Sequence, residues 1–176
     1  MTIGKIESWR KAWQQLIHEA SPFAVVRGEN NTPEFSKAPF RLVDALQAGR
    51  EFGEKPFVLW EGQNYTYGEF YTKSDKLTAA LQKDLAVQAG DRVAIAMRNR
   101  PAWMISCMAA VQSGAVPVPI NSWSAAEELV YAIQDCGAKV VFCDPQRYEL
   151  LKDLASDVTV IVTDEASLRE GDRSWN

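Results

Sequence analysis

Apolar residues between positions 90 and 163 fall into short runs of strand length rather than long helical stripes. Val93–Met97, Val116–Ile120, Lys139–Cys143 and Val158–Val162 each have a polar residue, glycine or proline within two positions of either end. Runs of that length with such borders read as buried strands. Between them the period changes. Ala126, Leu129, Val130 and Ile133 recur at helical spacing, with Gly137 as a stop. Ser124 and Glu127 stand as an S-x-x-E capping box at the head of that helix. Pro101 suits the first turn of a helix over residues 102–111, and Pro145 opens a segment that turns helical through Leu150, Leu151 and Leu154. Strands alternating with helices predict an α/β fold: a mainly parallel sheet with flanking helices and right-handed crossovers. Pro117 and Pro119 each remove a ladder donor, so their strand is short, at an edge or irregular.

Upstream the pattern differs. Phe57–Trp60 and Asn64–Thr66 flank Glu61-Gly62-Gln63, which reads as a hairpin. Thr66 and Glu69 form a second capping box, and the helix they start carries Phe70, Leu77, Leu81 and Leu85 on one stripe. Trp9, Trp13 and Ile17 lie on an N-terminal amphipathic helix, with His18 beside them. This predicts residues 1–50 as a helix and extended segment packed on a core, and residues 51–176 as an α/β subdomain. The helix over 102–111 is apolar nearly all round. Either it is buried on two sides, or one side meets a partner such as a further subdomain or a second copy.

Composition narrows the function classes. A chain of 176 residues, 47% hydrophobic and 24% charged, is an ordinary globular mixture. A net charge of −4 argues against a general nucleic-acid binder. The N-terminus has no apolar core of signal-peptide type, so a cytoplasmic location is the expectation. Cys107, Cys136 and Cys143 are odd in number, lie on apolar elements and show no C-x-x-C spacing. They read as reduced core residues. His18 is the only histidine, so a histidine-based zinc site or a Ser-His-Asp triad would rest on it alone.

Several motifs together resemble a known family. They are Tyr65-Thr66-Tyr67-Gly68-Glu69-Phe70, then Gly90-Asp91-Arg92-Val93-Ala94-Ile95, then Asn99 and Trp103. Gly114-Ala115-Val116-Pro117-Val118-Pro119-Ile120-Asn121 and Glu128-Leu129 follow in order. The set resembles the N-terminal region of AMP-forming acyl-CoA synthetases, of the adenylate-forming superfamily. Ser21–Val26 and the segment from Lys37 through Phe40 to Leu46 resemble, more loosely, the head of fatty-acid-type members. The resemblance implies a reaction in which a carboxylate attacks ATP to give an acyl-adenylate and pyrophosphate. Coenzyme A then displaces AMP, and Mg2+ neutralises the phosphates. It also implies the remaining subdomains of such an enzyme, and a small carboxylic acid, as partners. The chain contains neither G-x-x-x-x-G-K-[ST] nor a Ser/Thr/Gly run, the kind of loop whose amides and lysine hold a triphosphate. The expectation is that these 176 residues alone do not form acyl-adenylate. A non-catalytic binding or oligomerisation module on the same scaffold is the alternative.

Five residues stand out as candidate binding groups. Arg98 and Arg100 flank a helix N-terminus, where the helix dipole disfavours cations unless an anion compensates. They read either as contacts to a phosphate of coenzyme A or ATP, or as a solvated loop paired with a nearby acid. Asn121 and Trp123 follow a strand and precede a helix, where ligands approach parallel sheets. The resemblance places this loop near the coenzyme A tunnel; the plainer reading is a turn, with Trp123 partly in the core. Arg147 follows the strand ending at Cys143. In some relatives an arginine in this region meets the 3′-phosphate of coenzyme A; otherwise it is a surface arginine at a helix start. Asp135, Asp144, Asp153 and Asp157 read as solvated caps and surface. No residue pattern identifies a metal site or a catalytic residue.

Overall fold

The computed structural model describes residues 3–39, 41–151, 153–154, 157–163 and 173–174, so Phe40 of the head segment lies outside the described residues. The chain forms two compact units, Met1–Gln47 and Ala48–Asn176. The first holds helix α1 (Ile3–Leu16), strands β1 (Val25–Arg27) and β2 (Pro33–Phe35), and helix α2 (Leu42–Gln47). β1 and β2 pair antiparallel. Asn31, at φ 57°, supplies the left-handed residue between them, which asparagine tolerates better than most side chains.

The second unit begins with a 3-10 turn, Ala48–Phe52, and the hairpin of β3 (Pro56–Trp60) and β4 (Gln63–Thr66). Gln63 pairs with Trp60, so the turn is two residues long rather than three. Glu61 and Gly62 both have positive φ, 48° and 78°, as the twist-matched two-residue hairpin turn demands. Helix α3 (Tyr67–Lys83) starts at the expected box: the Glu69 N–H donates to Thr66 Oγ1 at 3.2 Å, and the Thr66 N–H donates to Glu69 Oε2 at 2.9 Å.

The rest is the α/β repeat: β5 (Arg92–Ala96), α4 (Pro101–Gln112), β6 (Val116–Pro119), α5 (Ala126–Asp135), β7 (Ala138–Cys143), α6 (Pro145–Tyr148), a 3-10 turn Glu149–Leu151, β8 (Thr159–Val162) and β9 (Arg173–Ser174). The strands form one five-stranded sheet in the order β6-β5-β7-β8-β9, parallel throughout. β9 adds a strand beyond the four read from the sequence. Its pair of residues is too short to give an apolar run.

Alternation along the strands divides the core. Val93, Ile95, Val140, Phe142 and Ile161 face one side with Leu81 of α3 and Ala109 and Ala110 of α4. Ala94, Ala96, Val141, Cys143, Val160 and Val162 face the other with Leu129 and Ile133 of α5. Both faces are covered, as a parallel sheet requires. β6 lies at the edge, one of the three outcomes its prolines allow. Val116 N–H donates to Asp91 O (2.8 Å) and Ile120 N–H to Ile95 O (3.0 Å). The even-numbered residues therefore aim at β5, and Pro117 and Pro119 put their missing donors on the open side, which also blunts that edge against further pairing.

Two readings settle differently from their alternatives. α4 is buried on two sides: Ala109 and Ala110 meet the sheet, while Ile105 and Met108 pack with Phe70 and Tyr71 of α3. None of its residues is exposed, and Trp103, Met104 and Cys107 are half-buried. The Ser124–Glu127 capping box does not form; α5 has Ala125 at its N-cap with no side-chain bond. Asn121 is the cause. Its Oδ1 accepts the Trp123 N–H at 3.1 Å and its carbonyl accepts the Ser124 N–H at 3.1 Å. That side-chain-closed turn engages Ser124 and starts the helix one residue later.

Candidate functional site at the carboxyl edge of the sheet

Because β5 to β8 are parallel, the residues that follow them emerge on one edge. Arg98 comes from β5, Asn121 to Trp123 from β6, Asp144 to Arg147 from β7 and Thr163 from β8. Small ligands dock at this edge in open α/β sheets.

Asp144 sits at the centre. It is the N-cap of α6, followed by Pro145 in the first turn. Its Oδ1 accepts the Arg147 N–H at 3.0 Å, and its Oδ2 accepts the Arg98 N–H at 3.0 Å. Arg147 Nη1 lies 3.3 Å from both carboxylate oxygens. The same guanidinium donates twice to the Ser122 carbonyl, from Nε at 2.8 Å and from Nη2 at 2.7 Å, and Nη1 donates to Gln146 Oε1 at 2.9 Å. One buried ion pair thus ties the loops after β5, β6 and β7 together.

This corrects two readings. Arg147 is not a surface arginine, and Asp144 is not a solvated cap: their relative exposures are 5% and 2%. Burying each charge is tolerated because the other satisfies it. Sequence reasoning missed Asp144 as a site residue, although Asp-Pro at a strand end, three residues before an arginine, was the available signal.

Arg98 and Trp123 are brought together. The Arg98 guanidinium carbon stands 2.9 Å from the Trp123 ring centroid. Desolvation lowers the Arg98 pKa from its ordinary value; the like charge of Arg147 adds to this and Asp144 opposes it. Trp123 itself is 79% exposed, so it is not partial core. Stacking uses the face of the guanidinium and leaves its edge N–H groups as donors. Arg100 is turned elsewhere: its Nη1 donates to Thr163 Oγ1 at 3.3 Å. Asn121 is engaged in its turn. The edge therefore carries Arg98 and Arg147 beside one carboxylate, with Arg100 against Thr163 and an exposed indole next to Arg98: a surface suited to an aromatic, phosphate-bearing ligand. Among the described residues there is no group of three or more His, Cys, Asp or Glu side chains fit to hold a metal. Cys107, Cys136 and Cys143 form no disulfide among the described residues.

Comparison with known proteins adds independent findings. The family model described as AMP-binding enzyme matches residues 46–176. Among curated proteins, 4-coumarate--CoA ligase 3 of Arabidopsis thaliana is 33% identical over 104 residues, 59% of this chain and 18% of that protein. Long-chain fatty acid transport protein 2 of Rattus norvegicus is 29% identical over 109 residues, 62% of this chain and 18% of that protein. The chain thus spans about a fifth of the length of these relatives. A solved anthranilate CoA ligase, AuaEII, in complex with anthranoyl-AMP, superposes with a TM-score of 0.72. The match covers 80% of this chain and 28% of that one at 24% identity, a likeness of fold.

Proposed function

This chain belongs to the AMP-binding enzyme family, and from that premise we propose that it forms the N-terminal part of an AMP-forming, fatty-acid-type CoA ligase. The overall reaction would join a carboxylate to coenzyme A, with ATP cleaved to AMP and pyrophosphate. The observation that carries this reading is the family match over residues 46–176, coinciding with the parallel sheet and its cationic carboxyl edge. In this proposal Arg98 and Trp123 receive the nucleotide end of coenzyme A. The indole offers a stacking surface and the guanidinium edge offers donors to phosphate. Arg147 and Asp144 hold the two loops that carry them. Arg100 lies further along the same edge.

The described residues and the sequence supply no triphosphate loop and no acidic metal cluster. Among the described residues no side chain is placed to hold ATP or Mg2+. The proposal includes that residues 1–176 alone do not form acyl-adenylate. It also includes a cytoplasmic location, an expectation that three cysteines without a disulfide among the described residues support.

The test is ATP–pyrophosphate exchange and thioester formation, with a panel of aliphatic and aromatic acids, on the chain and on any longer product of its reading frame. Thioester from a longer product, greatest with fatty acids, and no exchange from the chain alone is the expected result. Exchange by the chain alone, or no thioester from a longer product that carries a phosphate loop, overturns it.

A further inference from the structure

Every residue of α1 from Ile6 to Leu16 is exposed. Ile6, Trp9, Trp13 and Leu16 fall on one stripe, at i, i+3, i+7 and i+10, with exposures of 42%, 70%, 59% and 45%. A helix of 14 residues is marginal in water by itself and gains most of its stability by covering such a stripe. The apolar face does not stop at the helix. Trp13 lines a shallow groove along α1 with Ile6, Trp9, Arg10 and Gln14. It also lines a groove of about 590 Å³ with Val26 and Phe35 of the β1–β2 hairpin, both exposed. Helix and hairpin are joined where the Val25 N–H donates to the Ile17 carbonyl at 3.3 Å.

The charge beside that face has a sign. α1 holds Lys5, Arg10 and Lys11 against Glu7, a net of +2 that leaves −6 on the remainder of a −4 chain. Arg10 borders the stripe beside Trp9 and Trp13, so its stem can lie along apolar surface while the guanidinium stays in water. In the hairpin groove Arg27 and Glu34 offset one another. Arg27 Nη1 donates to the Asn31 carbonyl at 2.9 Å, and Glu34 Oε1 accepts from Thr32 Oγ1 at 3.3 Å. The excess of cations therefore comes from α1. An anionic surface attracts this helix and repels the acidic remainder, which fixes the side that faces it.

We propose that this face of the first unit seats on an anionic phospholipid bilayer, with α1 lying in the plane of the headgroups. Three features select a bilayer over a protein partner. Indole is an apolar body with one polar N–H, and it settles where hydrocarbon gives way to headgroups. A cation at the border of an aromatic stripe meets lipid phosphate while the rings enter the layer beneath. A face spread over a helix and a hairpin matches an extended surface, whereas a protein groove receives a single helix. Among the described residues no helix is long and apolar enough to cross a membrane, so the contact is peripheral. The cytoplasmic leaflet is the anionic one, in keeping with the location proposed above. The seating uses no residue of the carboxyl edge and does not depend on the ligase reading.

The experiment sediments the 176-residue chain with vesicles of phosphatidylcholine, with and without about 30% phosphatidylserine. The anionic vesicles should bind about tenfold or more tightly than the neutral ones, and raising salt should erase the difference. Arg10→Glu with Lys11→Glu should lose about tenfold or more in affinity for the anionic vesicles. Lys76→Glu with Lys83→Glu makes the same charge change on α3 of the second unit and should stay within about twofold of the parent. Lipids brominated in their acyl chains should quench tryptophan fluorescence in the parent, and Trp9→Gln with Trp13→Gln should lose both the quenching and the binding. All six positions are exposed, so these variants retain the fold. No sedimentation with about 5 mM anionic lipid, equal losses in the two double charge reversals, or sedimentation without quenching would each overturn the proposal. So would self-association of the chain that the tryptophan substitutions abolish while vesicles are ignored, which would assign the face to a second copy.

Discussion

Removing Arg147 should destabilise the second unit far more than removing any exposed arginine. In the structure the side chains of Arg147 and Asp144 are 6% and 3% exposed and lie 3.3 Å apart. Breaking a buried pair by deleting one partner typically costs about 3–5 kcal/mol, because the other charge is left in a poorly solvated place. Two features reduce that figure. The separation is longer than the roughly 2.8 Å of the strongest ionic hydrogen bonds, and Asp144 keeps the Arg98 and Arg147 main-chain N–H groups as donors. One feature raises it: the Ser122 carbonyl loses both of its guanidinium donors. The expectation for Arg147→Ala is therefore about 2–4 kcal/mol, or a fall in Tm of roughly 5–15 °C. Urea unfolding followed by far-ultraviolet circular dichroism measures it, with Asp144→Ala and the double variant completing a cycle. The double variant should cost at least about 1 kcal/mol less than the sum of the single ones, because removing both partners leaves no orphaned charge. A loss below about 1 kcal/mol for Arg147→Ala, or simple additivity in the cycle, would refute the reasoning. So would Arg147→Lys matching the parent, since a lysine cannot reproduce the paired donation to Ser122.

Other outcomes follow from single contacts. Thr66→Ala removes one half of the α3 capping box and should cost about 1 kcal/mol in the same urea assay. Ser106 Oγ is buried with no hydrogen-bond partner, so Ser106→Ala should raise stability by about 1 kcal/mol; a loss instead would mean that the hydroxyl is satisfied. Asp75 is held below its ordinary pKa of 3.8 chiefly by its hydrogen bonds from Arg50, with burial opposing. A depressed carboxylate contributes stability above its unfolded pKa and loses it as pH falls through the folded one. Asp75→Asn should therefore be less stable than the parent at pH 7, with the gap closing below pH 3.8. Burial raises the Cys107 thiol pKa above 9.0, so mass spectrometry should find it alkylated by iodoacetamide at pH 8 more slowly than a free thiol.

The parts of this fold that were legible in the sequence are those fixed by local physics. Period and length gave the four long strands. Thr66 and Glu69 are three residues apart and need nothing else to cap α3. Pro117 and Pro119 mark their strand as short, at an edge or irregular by themselves, and it lies at an edge. The failures are equally physical. Ser124 and Glu127 had the right spacing for a box, but Asn121, further up the loop, closed a competing turn with its own side chain. β9 has only Arg173 and Ser174 and no apolar run, so its pairing with β8 is decided by the sheet rather than by its own residues.

The site was hidden for a different reason, which bears on how it works. Arg98, Ser122, Asp144 and Thr163 are widely separated along the chain and become neighbours only because the parallel register sets every strand end on one edge. Asp144 looked like a solvated cap because a sequence shows what precedes a helix, not what another loop will bring to it. Once the Arg98 N–H, the Arg147 N–H and the Arg147 guanidinium converge on that carboxylate, it becomes the joint between three loops. Ligand contact at Trp123 and strain at Arg147 should then be coupled, since the Ser122 carbonyl held by Arg147 adjoins Trp123 in the chain. An edge built this way separates two tasks: buried charges fix the loops, and exposed groups on those loops remain free to meet what binds there.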